Sequence, residues 1–264
     1  MSAETSPTAA REAVDANQVW YHTIELAPGV ATPGYVDMRP VASRVLPDDL
    51  SGKRVLDIGT FDGFWAFEME RRGADVTAID LEKIDDAQWP PHKREELKRE
   101  VDEFGVELGR GFRLASEALA SKVKRVVCDV YDVTPERIGG EVDMAFIGTL
   151  LLHLRDPIQA LDRVRSCLAP GGELRLIEPI SVALSLRAPK RPAAEFQTLT
   201  TPFNWWVPNL AGIDAWLRTA RYERVKRLGF FRPPARPEMR QAYVALAYRP
   251  VESAAAGSGS SKRG

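Results

Sequence analysis

Short apolar runs of strand length alternate along this chain with segments whose apolar residues recur at helical spacing. Val55-Leu56-Asp57-Ile58 enters a glycine-containing turn, Gly59-Thr60-Phe61-Asp62-Gly63. Phe64, Phe67 and Arg71 follow at helical spacing, and Val76-Thr77-Ala78-Ile79-Asp80 is a second run that ends on an acid. Residues 123–129, 142–148 and 172–178 repeat the strand pattern, and a helix is expected over 111–122. Ahead of 172–178, Asp156-Pro157 sets an N-cap residue before a proline at the first helical position. Ile158, Leu161, Val164 and Leu168 continue that helix to the breaker Pro170-Gly171-Gly172.

Towards the C-terminus, Leu210, Ile213, Trp216, Leu217 and Ala220 share one helix face, and Tyr222–Phe231 and Gln241–Tyr248 read as strands. The link Arg232-Pro233-Pro234-Ala235-Arg236-Pro237 is too short for a crossover helix, so this last pair is antiparallel. Strands alternating with helices imply an α/β domain: a seven-stranded, mostly parallel sheet with an antiparallel last strand and helices on both faces. Its ligands belong at the C-terminal ends of the strands.

Two stretches exceed that minimal sheet. Residues 83–110 hold Trp89-Pro90-Pro91-His92 and a charged helix that turns Leu97, Val101, Phe104 and Leu108 inward. This insertion follows Asp80 directly and hangs over the ligand edge, as a lid or as a solvated cover. Residues 179–208 form a second long connection with Pro202-Phe203-Asn204-Trp205-Trp206-Val207-Pro208. Its paired tryptophans either wall a substrate or staple the loop to the core.

Composition narrows the class. A chain of 264 residues with 44% hydrophobic residues can fill one large core. Lys+Arg 36 against Asp+Glu 37 leaves a net charge of −1, so no global field draws it to nucleic acid or to an anionic membrane. Cys128 and Cys167 sit far apart in apolar surroundings, as reduced core thiols do. Met1 to Ala13 has no basic segment followed by an apolar one, and no run reaches the roughly 20 apolar residues of a membrane span. A cytoplasmic protein is expected, with 251–264, rich in Ala, Gly and Ser, as a disordered tail.

The chemistry concentrates at the first glycine turn. A G-x-G-x-x-G frame begun on Gly59 puts Phe61 and Phe64 where a pyrophosphate-binding turn needs glycines. Asp57 would repel phosphate and attract an ammonium, while Asp80 at the next strand tip can accept two ribose hydroxyls. An adenosine ligand with an amino group and no phosphate, S-adenosyl-L-methionine, satisfies all three conditions. A base for an acceptor hydroxyl is sought among His22, His92 and His153. His153 lies just past the fourth strand's tip, and His22 lies in the N-terminal segment as a base or substrate contact. Tyr21 and Arg39 are candidates for the methionine carboxylate. No His/Cys cluster has metal-ligand spacing, so no metal is expected.

With these elements in order, residues 45–250 resemble the class I S-adenosylmethionine-dependent methyltransferases. The resemblance rests on Val55 to Gly63, Ile79-Asp80, Cys128-Asp129-Val130, Phe146 to Asp156 and Leu168-Ala169-Pro170-Gly171-Gly172-Glu173-Leu174. It implies a Rossmann-like fold. More narrowly, Trp20-Tyr21-His22-Thr23-Ile24-Glu25-Leu26, Leu150 to Leu161 and Trp205-Trp206-Val207-Pro208 are similar to the tRNA wobble-uridine carboxymethyltransferases and their methyltransferase relatives. Those enzymes hold a carboxylated cofactor with a basic side chain and a tyrosine, at places taken here by His22 and Leu152. Ordinary methyl transfer is therefore expected.

The resemblance also implies a set of cofactor residues. Asp57, Gly59, Thr60, Phe61 and Gly63 would hold the methionine end with Tyr21, Asp80 and Leu81 the ribose, Asp129 and Val130 the adenine, and Gly148 and Thr149 the sulfonium. Residues 1–44 would close over the site. The expected activity is O-methylation of a small molecule, a sugar or secondary metabolite. Two alternatives stay open. One is tRNA modification, with Arg218, Arg221, Arg224, Lys226, Arg227, Arg232, Arg236 and Arg240 as a basic docking run. The other is a non-catalytic cofactor-binding module.

Overall fold

The computed structural model describes residues 6–201 and 203–251, apart from the Phe104 side chain. Pro202 and the tail from residue 252 on lie outside the described residues, and with them the expected disorder. Seven strands form the main sheet: β1 Arg54–Ile58, β2 Asp75–Asp80, β3 Lys124–Val127, β4 Val142–Gly148, β5 Leu168–Pro179, β6 Tyr222–Phe231 and β7 Tyr243–Pro250. Their spatial order is β6-β7-β5-β4-β1-β2-β3. The five strands from β1 to β5 run parallel, β7 is antiparallel to β5, and β6 is antiparallel to β7. The expected mostly parallel sheet with an antiparallel final strand is thus present.

Apolar runs such as Val55-Leu56 and Ala145-Phe146-Ile147 are buried on both faces because helices cover both. One layer packs the N-terminal segment and the helices Arg39–Val45, Phe64–Glu70 and Arg110–Ala118 against Val55, Ala78, Phe146 and Ala245. The other layer packs Pro157–Ser166 and Leu210–Thr219 against Leu56, Ile147, Leu176 and Leu246. The chain winds outward from β1 to β2 and β3, then returns to the other side of β1 as β4. The crevice beside the β1 and β4 tips is therefore the sheet's topological switch point, where ligands of such sheets bind.

Several expected boundaries are corrected. The Pro157–Ser166 helix ends two residues before Leu168, which instead opens β5 and pairs with Val142. Leu168 satisfies the helical spacing from Val164 and the strand alternation equally, so periodicity alone could not assign it. Pairing resumes at Glu173 with Met144, and Ala169–Gly172 bulge out between the two pairs, with Gly171 at φ 75°. The charged insertion helix Arg94–Phe104 stops at Gly105, φ 58°, so Leu108 lies beyond it, while Leu97 and Val101 pack with Trp89 in a separate small core. The helix expected over 111–122 runs over Arg110–Ala118.

Sequence reading also missed the helix Pro7–Asp15. The Ser6 hydroxyl caps it by accepting the Ala9 N–H at 3.2 Å, and Ala10 is buried. Among the described residues no helix is long and apolar enough to cross a membrane.

Candidate active site

β1 delivers Asp57 to the switch point, and the turn that follows takes three left-handed residues: Gly59 at φ 72°, Phe61 at φ 49° and Gly63 at φ 90°. Phe61 is tolerated there because its backbone N–H donates to Asp80 Oδ2 at 2.7 Å, while Leu81 N–H donates to Oδ1, also at 2.7 Å. Asp80 thus ties the tips of β1 and β2 together and keeps its remaining lone pairs for a ligand. Burial raises its pKa against the pull of those two bonds. The glycines are needed for space as well as for φ. A Cβ at Gly59 would lie 3.0 Å from Leu150 Cδ1, and one at Gly63 would lie 2.4 Å from Phe67.

Asp62, in the same turn, seizes the N-terminal segment. Its Oδ2 accepts the His22 backbone N–H at 2.6 Å and its Oδ1 meets His22 Nδ1 at 2.6 Å, with both residues buried. The His22 ring stacks on Phe64 and Tyr21 stands edge-on to it. Tyr21 also meets Phe61 edge-on. Tyr21 and His22 are therefore brought to the glycine turn. Arg39, by contrast, is committed to an exposed pair with Asp37 at 2.7 Å, away from its candidate role.

At the other tips, Asp129 caps the turn Val130–Asp132 by accepting the Tyr131 N–H at 3.0 Å, and Val130 is buried. Thr149 follows β4 at φ 59°, with its N–H bonded to the Ile177 carbonyl at 2.9 Å. Gly148 is held to glycine because a Cβ would come within 2.7 Å of Trp65 Nε1. His153 closes the short turn Leu151–His153, where its Nδ1 lies 3.1 Å from the Phe203 carbonyl, and burial lowers its pKa. His22 and His153 thus belong to different walls, the first to the N-terminal segment and the second to the long connection.

Three buried polar atoms near the switch point have no hydrogen-bond partner among the described residues: Asp57 Oδ2, Thr60 Oγ1 and Trp65 Nε1. Burial pushes Asp57 up to about 7 against the pull of the neighbouring Thr60 hydroxyl and the His22 ring, with Asp80 and Asp62 adding to the rise. A carboxyl oxygen, a hydroxyl and an indole N–H left over beside glycines that admit close approach suit a polar ligand with an ammonium group. These residues fit S-adenosylmethionine.

Glu178 was missed by sequence reading. It ends the β5 core run, is 2% exposed, and its Oε1 accepts the N–H groups of Leu150 at 2.8 Å and Leu151 at 2.9 Å. Burial pushes it up to about 8. The signal was available, because an acid closing an apolar strand run is the same pattern that singled out Asp80.

The two insertions meet over this rim. Trp205 Nε1 donates to the Gln88 carbonyl at 2.5 Å, His92 Nε2 lies 3.1 Å from the Thr198 carbonyl, and Trp89 faces Phe203 edge-on. Gln88 Oε1 accepts from Arg155 N–H and Tyr131 hydroxyl, and Trp205 N–H bonds the Leu152 carbonyl at 2.7 Å. The tryptophans therefore fasten the long connection to the first insertion and to the loop after β4.

The methyltransferase-domain family model matches residues 35–231. A tRNA U34 carboxymethyltransferase of Azotobacter vinelandii is 30% identical over 185 residues, 69% of this chain and 50% of that protein. The protein of the same name from Pseudomonas paraeruginosa is 29% identical over 185 residues, 68% of this chain and 48% of its own length. The chain spans about half the length of the curated relatives it matches. Among solved structures, 1,6-didemethyltoxoflavin-N1-methyltransferase of Burkholderia thailandensis, with 1,6-didemethyltoxoflavin and S-adenosylhomocysteine bound, superposes with a TM-score of 0.52. The two are 21% identical, over 81% of this chain and 78% of that one. An S-adenosylmethionine-dependent methyltransferase of Mesorhizobium loti gives a TM-score of 0.51 at 16% identity, over 80% of this chain and 97% of that one. These structural likenesses establish the fold. With the family model covering most of the chain, it belongs to the methyltransferase-domain family.

Proposed function

We propose that this enzyme methylates a hydroxyl of a compact small molecule, a sugar or other secondary metabolite. The observation that carries this reading is the roof. The insertions at 83–110 and 179–208 are pinned to each other through Gln88–Trp205 and His92–Thr198, and to the loops after β3 and β4 through Gln88–Tyr131 and Trp205–Leu152. A site covered in this way admits a small acceptor more readily than a folded polynucleotide. S-adenosylmethionine supplies an activated methyl group. The chain's own contribution is to align the acceptor with it and to take the acceptor's proton.

His153 is the proposed base. Its lowered pKa keeps the imidazole unprotonated at neutral pH, and its Nδ1 contact with the Phe203 carbonyl orients the ring. His22, oriented by Asp62, is the proposed second contact, as base or substrate ligand. Asp57, Gly59, Thr60, Phe61 and Gly63 with Tyr21 are proposed for the amino-acid end of the cofactor, Asp80 and Leu81 for the ribose, Asp129 and Val130 for the adenine, and Gly148 and Thr149 for the sulfonium.

The names of the curated relatives favour a second reading, modification of a tRNA wobble uridine. The basic run gives it little support, because much of that run is already engaged. Arg221 pairs with Asp162 at 3.3 Å and Arg224 with Asp214 at 3.0 Å, Arg227 lies over Phe230, and Arg236 bonds the Pro33 carbonyl while lying over Tyr35. Leu152 offers no hydrogen bond to a carboxylated cofactor. The deciding experiment offers methyl-labelled S-adenosylmethionine to total tRNA and to a small-molecule extract, with His153→Ala beside wild type. Label in the small-molecule pool, lost in the variant, supports the first reading. Label in tRNA overturns it.

A further inference from the structure

β7 opens on Tyr243, which stands opposite Pro179 of β5. Two residues on, Ala245 shares a row with Ile177 and Gly148. Side chains two apart along a strand share a face, so Tyr243 lies one step beyond Gly148 at the strand tips, on the same side of the sheet. Gln241, just ahead of the strand, donates from Nε2 to the Tyr243 hydroxyl oxygen at 2.8 Å. From the N-terminal segment the half-buried Tyr21 brings its own hydroxyl to that oxygen, while its ring meets Phe61 of the glycine turn and His22 edge-on. Tyr21 thus spans from the cofactor turn to β7.

The hydrogens of this trio leave one over. A phenol has one donor and two acceptor sites. The Tyr243 oxygen takes the Gln241 N–H and the Tyr21 O–H. Tyr21 is the donor of the pair, since the contact raises its pKa and lowers that of Tyr243. Burial raises both phenols, so each keeps its hydrogen at neutral pH. The Tyr243 O–H is then unspent, and no oxygen among the described residues accepts it. Glu178, the acid that acts on both phenols, is not placed to do so. It stands opposite Val244, on the other face of the sheet, and its carboxylate is held by the N–H groups of the loop after β4. Tyr243 itself is fully buried, and a buried donor without an acceptor is what a ligand oxygen completes.

We propose that Tyr243, backed by Gln241 and Tyr21, anchors the methyl acceptor: its O–H bonds an uncharged oxygen of that molecule, other than the one that is methylated. This rests on the acceptor reading above. The place fits, because Tyr243 adjoins the position proposed for the sulfonium at Gly148 and the start of the second insertion, whose Ile180 N–H bonds the Ala242 carbonyl at 2.9 Å. The charge fits as well. The strongest charges acting on the two phenols are those of Asp62 and Glu178, which would repel a carboxylate or phosphate and leave a neutral oxygen. A bond made alike before and during methyl transfer steadies both states, so it shows in acceptor affinity and not in turnover.

The test follows transfer of label from methyl-labelled S-adenosylmethionine into a dilution series of small-molecule extract, by wild type, Tyr243→Phe and Gln241→Leu. Affinity for S-adenosylhomocysteine is read beside it by calorimetry, and folding by a thermal melt. Tyr243→Phe should need about three- to tenfold more extract for its half-maximal rate, the worth of one neutral hydrogen bond, with the maximal rate and the S-adenosylhomocysteine affinity within about twofold of wild type. Gln241→Leu, which leaves the Tyr243 hydroxyl free to turn, should shift the half-maximal point in the same direction. An unchanged half-maximal point in Tyr243→Phe, or an equal weakening of S-adenosylhomocysteine, would mark the trio as a staple between the N-terminal segment and β7. Either result overturns the proposal and leaves the acceptor reading intact. The labelled product of wild type, identified by mass, should carry a neutral oxygen besides its new methoxy group. A product without one overturns the proposal even where Tyr243→Phe does not fold. No label in the small-molecule pool with wild type overturns both.

Discussion

Removing the Asp62 carboxylate should release the N-terminal segment from the glycine turn. Asp62 is 1% exposed and accepts two bonds of 2.6 Å, one from the His22 backbone N–H and one at His22 Nδ1. Asp62→Ala leaves a buried N–H without a partner, which costs about 1–3 kcal/mol, and strands a ring nitrogen whose bond to a carboxylate is worth about 1.5–3 kcal/mol. The expected loss is about 3–5 kcal/mol, the range for breaking a buried pair by deleting one member. Asp62→Asn retains a carbonyl for the N–H and should cost about 1–2 kcal/mol. The assay is urea unfolding at pH 7, followed by fluorescence and circular dichroism to verify a single transition, with His22→Ala and the double variant closing a thermodynamic cycle. A loss below about 1 kcal/mol in Asp62→Ala, or equal losses for Ala and Asn, would refute this account of the clamp.

Gly34→Ala would place a Cβ 2.2 Å from the His22 carbonyl carbon and 2.3 Å from Thr23 N. Rigid backbone cannot yield cheaply, so about 3 kcal/mol and a Tm lower by roughly 6–12 °C are expected in a thermal melt. Stability of the ligand-free protein should fall as pH rises from about 5 to 8. Folded Glu178 holds a proton up to about 8 against an ordinary 4.5, so its contribution is full below 4.5 and is lost through 8 at about 1.4 kcal/mol per pH unit. Asp57 adds to this up to about 7, and Glu178→Gln should flatten the decline seen in chemical denaturation at each pH. If His153 is the base, kcat at saturating cofactor should rise with pH through a value below 6.5, since burial lowers its pKa, and should then hold level. A limb above 6.5 would point to another group.

The sheet was legible because its strands announce themselves twice, as apolar runs and by the turns that bound them. Buried parallel strands must be apolar on both faces, and that left Val55-Leu56 and Ala145-Phe146-Ile147 with one interpretation. The boundaries that moved are those where two periodicities agree on one residue, as at Leu168, or where a glycine stops a helix whose apolar spacing continues, as at Gly105 before Leu108. The helix Pro7–Asp15 buries one alanine outright, too little for any pattern to register.

The site divides along a similar line. Asp57, the glycine turn and Asp80 stood out because a motif lies contiguous in sequence, whereas the His22–Asp62 clamp joins residues 40 positions apart and only the folded chain could pair them. Glu178 belongs to neither case. Its position at a strand tip was visible, but its meaning depends on strand order, which sets β5 beside β4 and so lets its carboxylate hold the loop after β4 through the Leu150 and Leu151 N–H groups. A buried acid without a cation is costly in any fold. Glu178 offsets part of that cost with the Leu150 and Leu151 N–H groups, so Glu178→Gln, which keeps the acceptor and removes the charge, should make the empty protein less sensitive to pH without loosening the loop after β4.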